Sequence, residues 1–246
     1  MGWFAEAFGP WYGVVYPHRD DAEARRLAST LAAWRDLAGR RHLDVGAGAA
    51  RHLDALAELG VRSVGLDYSE HLLAEARRRA APGAPWRLVR GDMRHLPFGD
   101  EAFDLVTSLF TSFGYFGPEE DGRVLAEASR VLGPGGIHVL DFLNRDRTLE
   151  HLKPETSRTS GDYRVEERRR VERGAVVKEV VVRPRTGGAA LASYEERVML
   201  YDRAELDRRL AAVGLRPRRW LGEYDGTAFD PRTSTRLIVL SEKESA

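Results

Sequence analysis

Between residues 41 and 141 the chain alternates short apolar runs with longer segments whose apolar positions recur three and four apart. Arg41 to Val45, Ser63 to Asp67, Trp86 to Val89, Phe103 to Ser108 and Ile137 to Asp141 read as strands. Between them, helical spacing covers Ala49 to Leu59, the segment after Ser69 with Leu72, Leu73 and Ala76, and the segment after Pro118 with Val124, Leu125, Ala128 and Val131. Gly60 ends the first helix, Ser69 caps the second, and Pro118 followed by three acids opens the third. Gly133-Pro134-Gly135-Gly136 reads as the turn into the fifth strand. This alternation predicts an α/β fold with a mostly parallel sheet covered on both faces.

The flanks follow other patterns. Asp20 or Asp21 caps a helix to about Ala38, with Leu27, Leu31, Trp34 and Leu37 on one face. Upstream, residues 1 to 18 carry Trp3, Phe4, Phe8, Trp11, Tyr12 and Tyr16, too much apolar surface for a solvated tail. This segment reads either as an arm packed on the core or as a lid over a pocket. After residue 146, Tyr163 to Arg173, Ala175 to Arg183 and Ala192 to Leu200 have strand character, with turns near Gly174 and Gly187-Gly188. They predict a small antiparallel β insertion, serving as a substrate cover or as a homodimer contact. Asp202 caps a last helix, and Leu215 to Trp220 and Thr235 to Leu240 form the final strands. Four parts follow: an aromatic arm and helix (1–40), a core (41–145), the β-rich insertion (146–200) and a segment completing the core sheet (201–246).

Composition narrows the chemistry. The 246 residues fit one domain with an insertion, and the formal net charge of zero provides no global field for nucleic acid or an anionic membrane. There is no cysteine, which removes disulfides, thiolate metal sites and cysteine nucleophiles. No metal-binding cluster or His-Asp pair stands out. Glu6 and the lack of an uninterrupted apolar run argue against a signal peptide or spanning helix, so a cytoplasmic location is expected. In the run from Arg164 to Arg173, interspersed glutamates argue for a solvated strand face rather than a nucleic-acid interface.

In parallel sheets ligands sit beyond the carboxyl ends of the strands. Asp44, Asp67, Asp92, the loop beginning at Ser108 and Asp141 all fall there. The stretch Leu43-Asp44-Val45-Gly46-Ala47-Gly48-Ala49-Ala50-Arg51 joins the first strand to the first helix through a glycine turn, where main chain can approach a ligand and unpaired N–H groups are on offer.

These residues resemble class I S-adenosylmethionine-dependent methyltransferases. The glycine-rich first motif matches Asp44, Gly46 and Gly48, with Ala50 where a third glycine is often found. The resemblance is close over residues 41–141 and loose over Thr235 to Leu240. It implies a Rossmann-like, seven-stranded sheet with an antiparallel last strand inserted between the fifth and sixth, and S-adenosyl-L-methionine as cofactor. By the same resemblance Asp67 accepts both ribose hydroxyls, and Asp92 accepts the adenine amine while Met93 packs on the ring. Asp44 orients groups near the ammonium, and Ala47, Tyr68 and Ser108 complete the cofactor set. A nicotinamide enzyme would place its third glycine at Arg51 and leave Asp44 and Asp92 unexplained.

The loop from Ser108 to Tyr115 lacks an Asn/Asp-Pro-Pro-aromatic signature and resembles the serine and aromatic loops of small-molecule methyltransferases, amino-sugar and natural-product enzymes among them. The implied reaction is methyl transfer to an N or O nucleophile of a small organic molecule. The alternatives are tRNA or another macromolecule as acceptor, or a non-catalytic cofactor-binding scaffold. Phe110, Phe113 and Tyr115 would line the acceptor pocket, with Asn144, Arg197 and Tyr224 approaching from the insertion and late loops. Tyr12 and Tyr16 would close over it, and His18 would serve as a positioning group or base.

Overall fold

The computed structural model describes residues 3–17 and 21–244. Two helical turns, α1 (Phe4–Ala7) and α2 (Tyr12–Val15), precede α3 (Asp21–Trp34). The core then runs β1 (Arg41–Val45), α4 (Arg51–Ala57), β2 (Arg62–Asp67), α5 (Glu70–Arg79), β3 (Trp86–Arg90), β4 (Phe103–Ser108), α6 (Pro118–Val131) and β5 (Leu132–Leu143). After α7 (Arg145–Glu150) come β6 (Glu155–Ser160), β7 (Tyr163–Glu172), β8 (Ala175–Pro184) and β9 (Ala192–Met199), then α8 (Arg203–Ala211), β10 (Leu215–Leu221) and β11 (Arg236–Lys243).

Seven strands form one sheet in the order β10-β11-β5-β4-β1-β2-β3. Strands β1 to β5 pair in parallel, while β11 lies antiparallel between β5 and β10. Apolar stripes cover both faces: α3 and α4 pack with Leu105, Ile137 and Ile238, whereas α6 and α8 pack with Leu43, Val106 and Phe142. Gly65 lets α4 sit close, because a Cβ there would lie 2.7 Å from Leu53 and 2.8 Å from Ala47.

Three departures from the sequence reading have local causes. Gly133 to Gly136 form a bulge inside β5 rather than a turn ahead of it, since Phe103 pairs with Leu132 but Leu105 with Ile137. The edge strand β6 has no apolar alternation to reveal it, being Glu-Thr-Ser-Arg-Thr-Ser. Helix α7 is one short turn capped by the Asn144 side chain, which accepts from the Asp146 N–H.

The strands β6-β7-β8-β9 make a second, antiparallel sheet beside the strand-end edge of the first. The N-terminal arm seals onto it: Ala7 and Val15 are buried against Val165, Val180, Val182 and Tyr194. A fully buried valine contributes roughly 1.5–3 kcal/mol relative to exposure, so this seam holds the arm down. The arginines of β7 on the outer face are matched locally, Arg170 meeting Glu172, Glu179 and Glu195.

Candidate functional site

The turn after β1 is fixed by main chain. The N–H groups of Gly46 and Ala47 both donate to the Leu66 carbonyl on β2, at 2.8 and 3.0 Å. Gly46 sits at φ +82°, and a Cβ there would fall 2.6 Å from the Ser112 Cβ, so only glycine lets this loop meet the loop after β4. Ala50 also adopts the left-handed region, at φ +66°, fully buried. The position where the motif often has glycine is thus a position that needs that conformation, and alanine holds it by packing against Leu53 and Ala76.

At the end of β2 the Asp67 carboxylate accepts from the Gly48 N–H and the Ser69 N–H, each at 2.8 Å. Burial nevertheless raises its pKa, the backbone donors offsetting only part of that cost. At the end of β3, Asp92 forms an ion pair with Arg94 at 2.6 Å, and that guanidinium lies 4.5 Å over the Phe116 ring. Hydrogen bonding to Arg94 holds the Asp92 carboxyl below its usual range.

These groups surround a cavity of about 280 Å³ at the strand ends. Its walls include Gly46, Ala47, Gly48, Asp67, Tyr68, Asp92 and Met93, with Ser112 and Leu109 from the loop after β4. The arm covers it with Phe4, Phe8, Tyr12 and Tyr16, and the Ser69 hydroxyl donates to the Phe8 carbonyl at 2.5 Å. A second cavity, about 470 Å³, lies between this edge and the antiparallel sheet. The two share Phe8, Tyr16, Phe110 and Tyr115.

A methyltransferase-domain family model matches residues 43–136, the stretch that builds the first cavity. Residues 43–136 are a methyltransferase domain of the class I, S-adenosylmethionine-dependent kind. Relatives and structures agree with it. The chain is 41% identical over 115 residues to a demethylmenaquinone methyltransferase of Clavibacter sepedonicus, covering 47% of this chain and 45% of that protein. It therefore spans less than half the length of that relative. An amino pentose methyltransferase from Micromonospora echinaspora, solved with S-adenosylmethionine bound, is 27% identical with TM-score 0.70, covering 94% of this chain and 96% of that one. A methyltransferase from Streptomyces caelestis shares the fold at 23% identity with TM-score 0.82, covering 98% and 99%.

The walls of the first cavity in the methyltransferase domain suit that cofactor. A carboxylate has acceptors only, and Asp67, pre-oriented by two backbone donors, retains lone pairs for a vicinal diol. Met93, Leu72 and Tyr68 offer the apolar surface a purine needs, with Asp92 beside them. Arg51, the first residue of α4, lines the same cavity with its guanidinium 5.0 Å over Phe110, and a planar fork of donors suits a carboxylate. Nothing in the local sequence pattern marks Arg51 for this role; there it only argues against a nicotinamide site.

Asp44 lies beneath the loop rather than on the cavity wall, 1% exposed, at the end of a buried chain across three strands. The Thr107 hydroxyl donates to Asp44 Oδ1 at 2.7 Å, so the Thr107 oxygen must itself accept from His42 Nε2 at 2.9 Å. Ser63 then donates to His42 Nδ1, also at 2.9 Å. Burial lowers the His42 pKa to about 3, keeping the ring neutral and consistent with that order. Burial raises the Asp44 pKa to about 7, against the Thr107 hydrogen bond and with help from Asp67.

Since the folded value is raised, Asp44 contributes stability that is present at low pH and lost between about pH 4 and 7 in the cofactor-free domain. A cationic amine in the cavity above favours the ionised form. S-adenosylhomocysteine affinity is expected to climb from pH 5.5 to 7.5, approaching about tenfold per unit at the low end. Calorimetry on wild type and Asp44→Asn checks this: the variant's affinity should be flat over that range.

Several expected site residues sit elsewhere. Ser108 is 2% exposed at the end of the central strand β4, and Ser112, donating to the Val45 carbonyl at 2.9 Å, takes the place on the wall. Phe113 packs in the core against Phe142 and Tyr201. Asn144 is buried, its amide donating to the Pro231 and Ser234 carbonyls, which makes it a helix cap and loop anchor. Arg197 faces away from both cavities and reaches the Glu172 carbonyl, because its neighbours Glu196 and Val198 take the inward positions. Tyr224 is buried under Phe110, its hydroxyl donating to Asp141. His18 lies outside the described residues. Conversely, His52, not among the expected site residues, is buried beside Phe110 on the first cavity. Lys178 and Glu196 line the second cavity, hidden in the sequence among the other charged residues of β8 and β9.

Proposed function

We propose that the chain transfers a methyl group from S-adenosylmethionine to the amine of a small polar molecule of the amino-sugar kind. The observation that carries this reading is the meeting of two cavities at Phe8, Tyr16, Phe110 and Tyr115. One side of that aperture has the acceptor-only carboxylates a nucleoside needs. The other combines aromatic walls with Lys178, Glu196, Arg169 and Thr156, a surface for a molecule with several hydrogen-bonding groups rather than for a flat apolar ring. The amino pentose enzyme, whose likeness extends over 94% of this chain, supports the same choice over the quinone enzymes.

When bound, the cofactor supplies a methyl group on a sulfonium, which is already an excellent leaving group. What remains for the chain is alignment and exclusion of water. Phe110 and Tyr115 fix the aperture from the core side, the Tyr115 hydroxyl donating to the Thr111 carbonyl. Phe8 and Tyr16 close it from the arm. Burial and the adjacent Glu196 raise the Tyr16 pKa well above that of an ordinary phenol, so Tyr16 acts as a hydrogen-bond donor and not as a base.

The test is a mass-spectrometric screen of amino sugars and matched hydroquinones with S-adenosylmethionine as donor. Mono- or dimethylated amino sugar is the expected product. Methylation confined to the hydroquinones would contradict the reading.

A further inference from the structure

Among the described residues Glu196 is the one carboxylate on the wall of the second cavity, and half of it is spoken for. Its Oε2 accepts from the Tyr16 hydroxyl at 2.6 Å and from the Lys178 ammonium at 2.6 Å, while Lys178 also donates to the Tyr16 oxygen. Its Oε1 is buried and has no hydrogen-bond partner among the described residues. The residue as a whole is 7% exposed. A buried carboxylate oxygen without a donor is costly, and native proteins rarely keep one without a use. Being acceptor-only, it can be satisfied by an N–H or O–H and by nothing else.

The position matters as much as the chemistry. Tyr16, which holds Glu196, is one of the four residues at the aperture where donor and acceptor must meet. Glu196 is two residues from Tyr194 on the same inward face of β9, so it is set by sheet geometry rather than by a loop. Lys178, on the neighbouring strand, is paired with it in register.

We infer that Glu196 recognises and deprotonates the acceptor amine, with Tyr16 and Lys178 as the positioning residues that keep its second oxygen toward the acceptor. That the acceptor is an amine rests on the function proposed above. Glu196 takes a proton from the acceptor ammonium and becomes the carboxylic acid. The freed nitrogen lone pair forms the N–CH3 bond, and the C–S bond breaks with its electron pair retained on sulfur. The methylated product leaves as a cation, and Glu196 returns its proton to solvent.

Calorimetry of D-glucosamine, with D-glucose as the neutral control, into protein saturated with S-adenosylhomocysteine tests this without requiring turnover. The wild type should bind glucosamine more tightly than glucose. Glu196→Gln should lose about tenfold or more in glucosamine affinity, no more than twofold in glucose, and nothing in S-adenosylhomocysteine. Transfer to glucosamine should fall on the order of 100-fold in that variant. A residue that merely clamped the arm would change cofactor affinity and both sugars alike. Equal glucosamine affinity in wild type and variant, or no preference for the amine in a wild type that binds S-adenosylhomocysteine, would overturn the assignment. Failure to bind S-adenosylhomocysteine at all would take down the proposed function with it.

Discussion

Asp67→Asn is expected to weaken S-adenosylhomocysteine binding by about 2–4 kcal/mol, roughly 30- to 1000-fold, in a chain that still folds. The side chain is 9% exposed and already accepts two backbone N–H groups at 2.8 Å. An amide offers one acceptor oxygen where the carboxylate offers two, and its NH2 must face either Gly48 or Ser69, both donors. The nucleoside diol then loses acceptors at a site from which water is excluded, so the deficit is not repaid by solvent. Equilibrium dialysis with labelled ligand, alongside a thermal melt, separates lost binding from lost fold. An unchanged affinity would mean that Asp67 only ties the glycine loop to β2.

Arg236→Ala is the second large effect, and it acts on stability. Asp141 is fully buried at the end of β5 and receives Arg236 Nε at 2.5 Å and Nη2 at 2.7 Å. The same carboxylate accepts the Phe110 N–H at 2.8 Å and the Tyr224 hydroxyl, and the Asp141 carbonyl accepts the Thr111 N–H at 3.0 Å. Those contacts hold two consecutive non-glycine residues, Phe110 at φ +57° and Thr111 at φ +60°, in the left-handed region. The guanidinium also lies 4.9 Å from the rings of both Phe110 and Tyr224.

Removing it strands a buried charge and releases the aperture loop, a loss of about 3–5 kcal/mol in denaturant unfolding. Adding Asp141→Ala should cost less than the sum of the two single changes, because the uncompensated charge goes with it. A loss under about 1 kcal/mol would show that the pair does not brace the loop.

The uneven legibility of this molecule has a physical origin. Strand, glycine turn and helix from Arg41 to Leu59 are written in local patterns, and the parallel sheet with β11 inserted antiparallel beside β5 follows from them and from the resemblance. Aspartates at strand ends were legible because topology brings such ends to one edge. Phe113, by contrast, was indistinguishable from Phe110 by composition. Which of two aromatic neighbours faces the core depends on the left-handed turn at Phe110 and Thr111, and non-glycine residues give no sign of that conformation. Asn144 and Tyr224 were polar groups near the right strand ends that tertiary contacts consume as a cap and a buried donor. Lys178 and Glu196 were invisible for the opposite reason: in a charged strand nothing but the pairing register says which side chains turn inward.

Every site role given above requires one S-adenosyl nucleoside to occupy the strand-end cavity beneath the aromatic arm. Isothermal titration of S-adenosylhomocysteine into the wild-type protein at pH 8 measures it most directly. Saturable heat with one ligand per chain is the expected result. A flat titration from protein that melts cooperatively in the same buffer would contradict it.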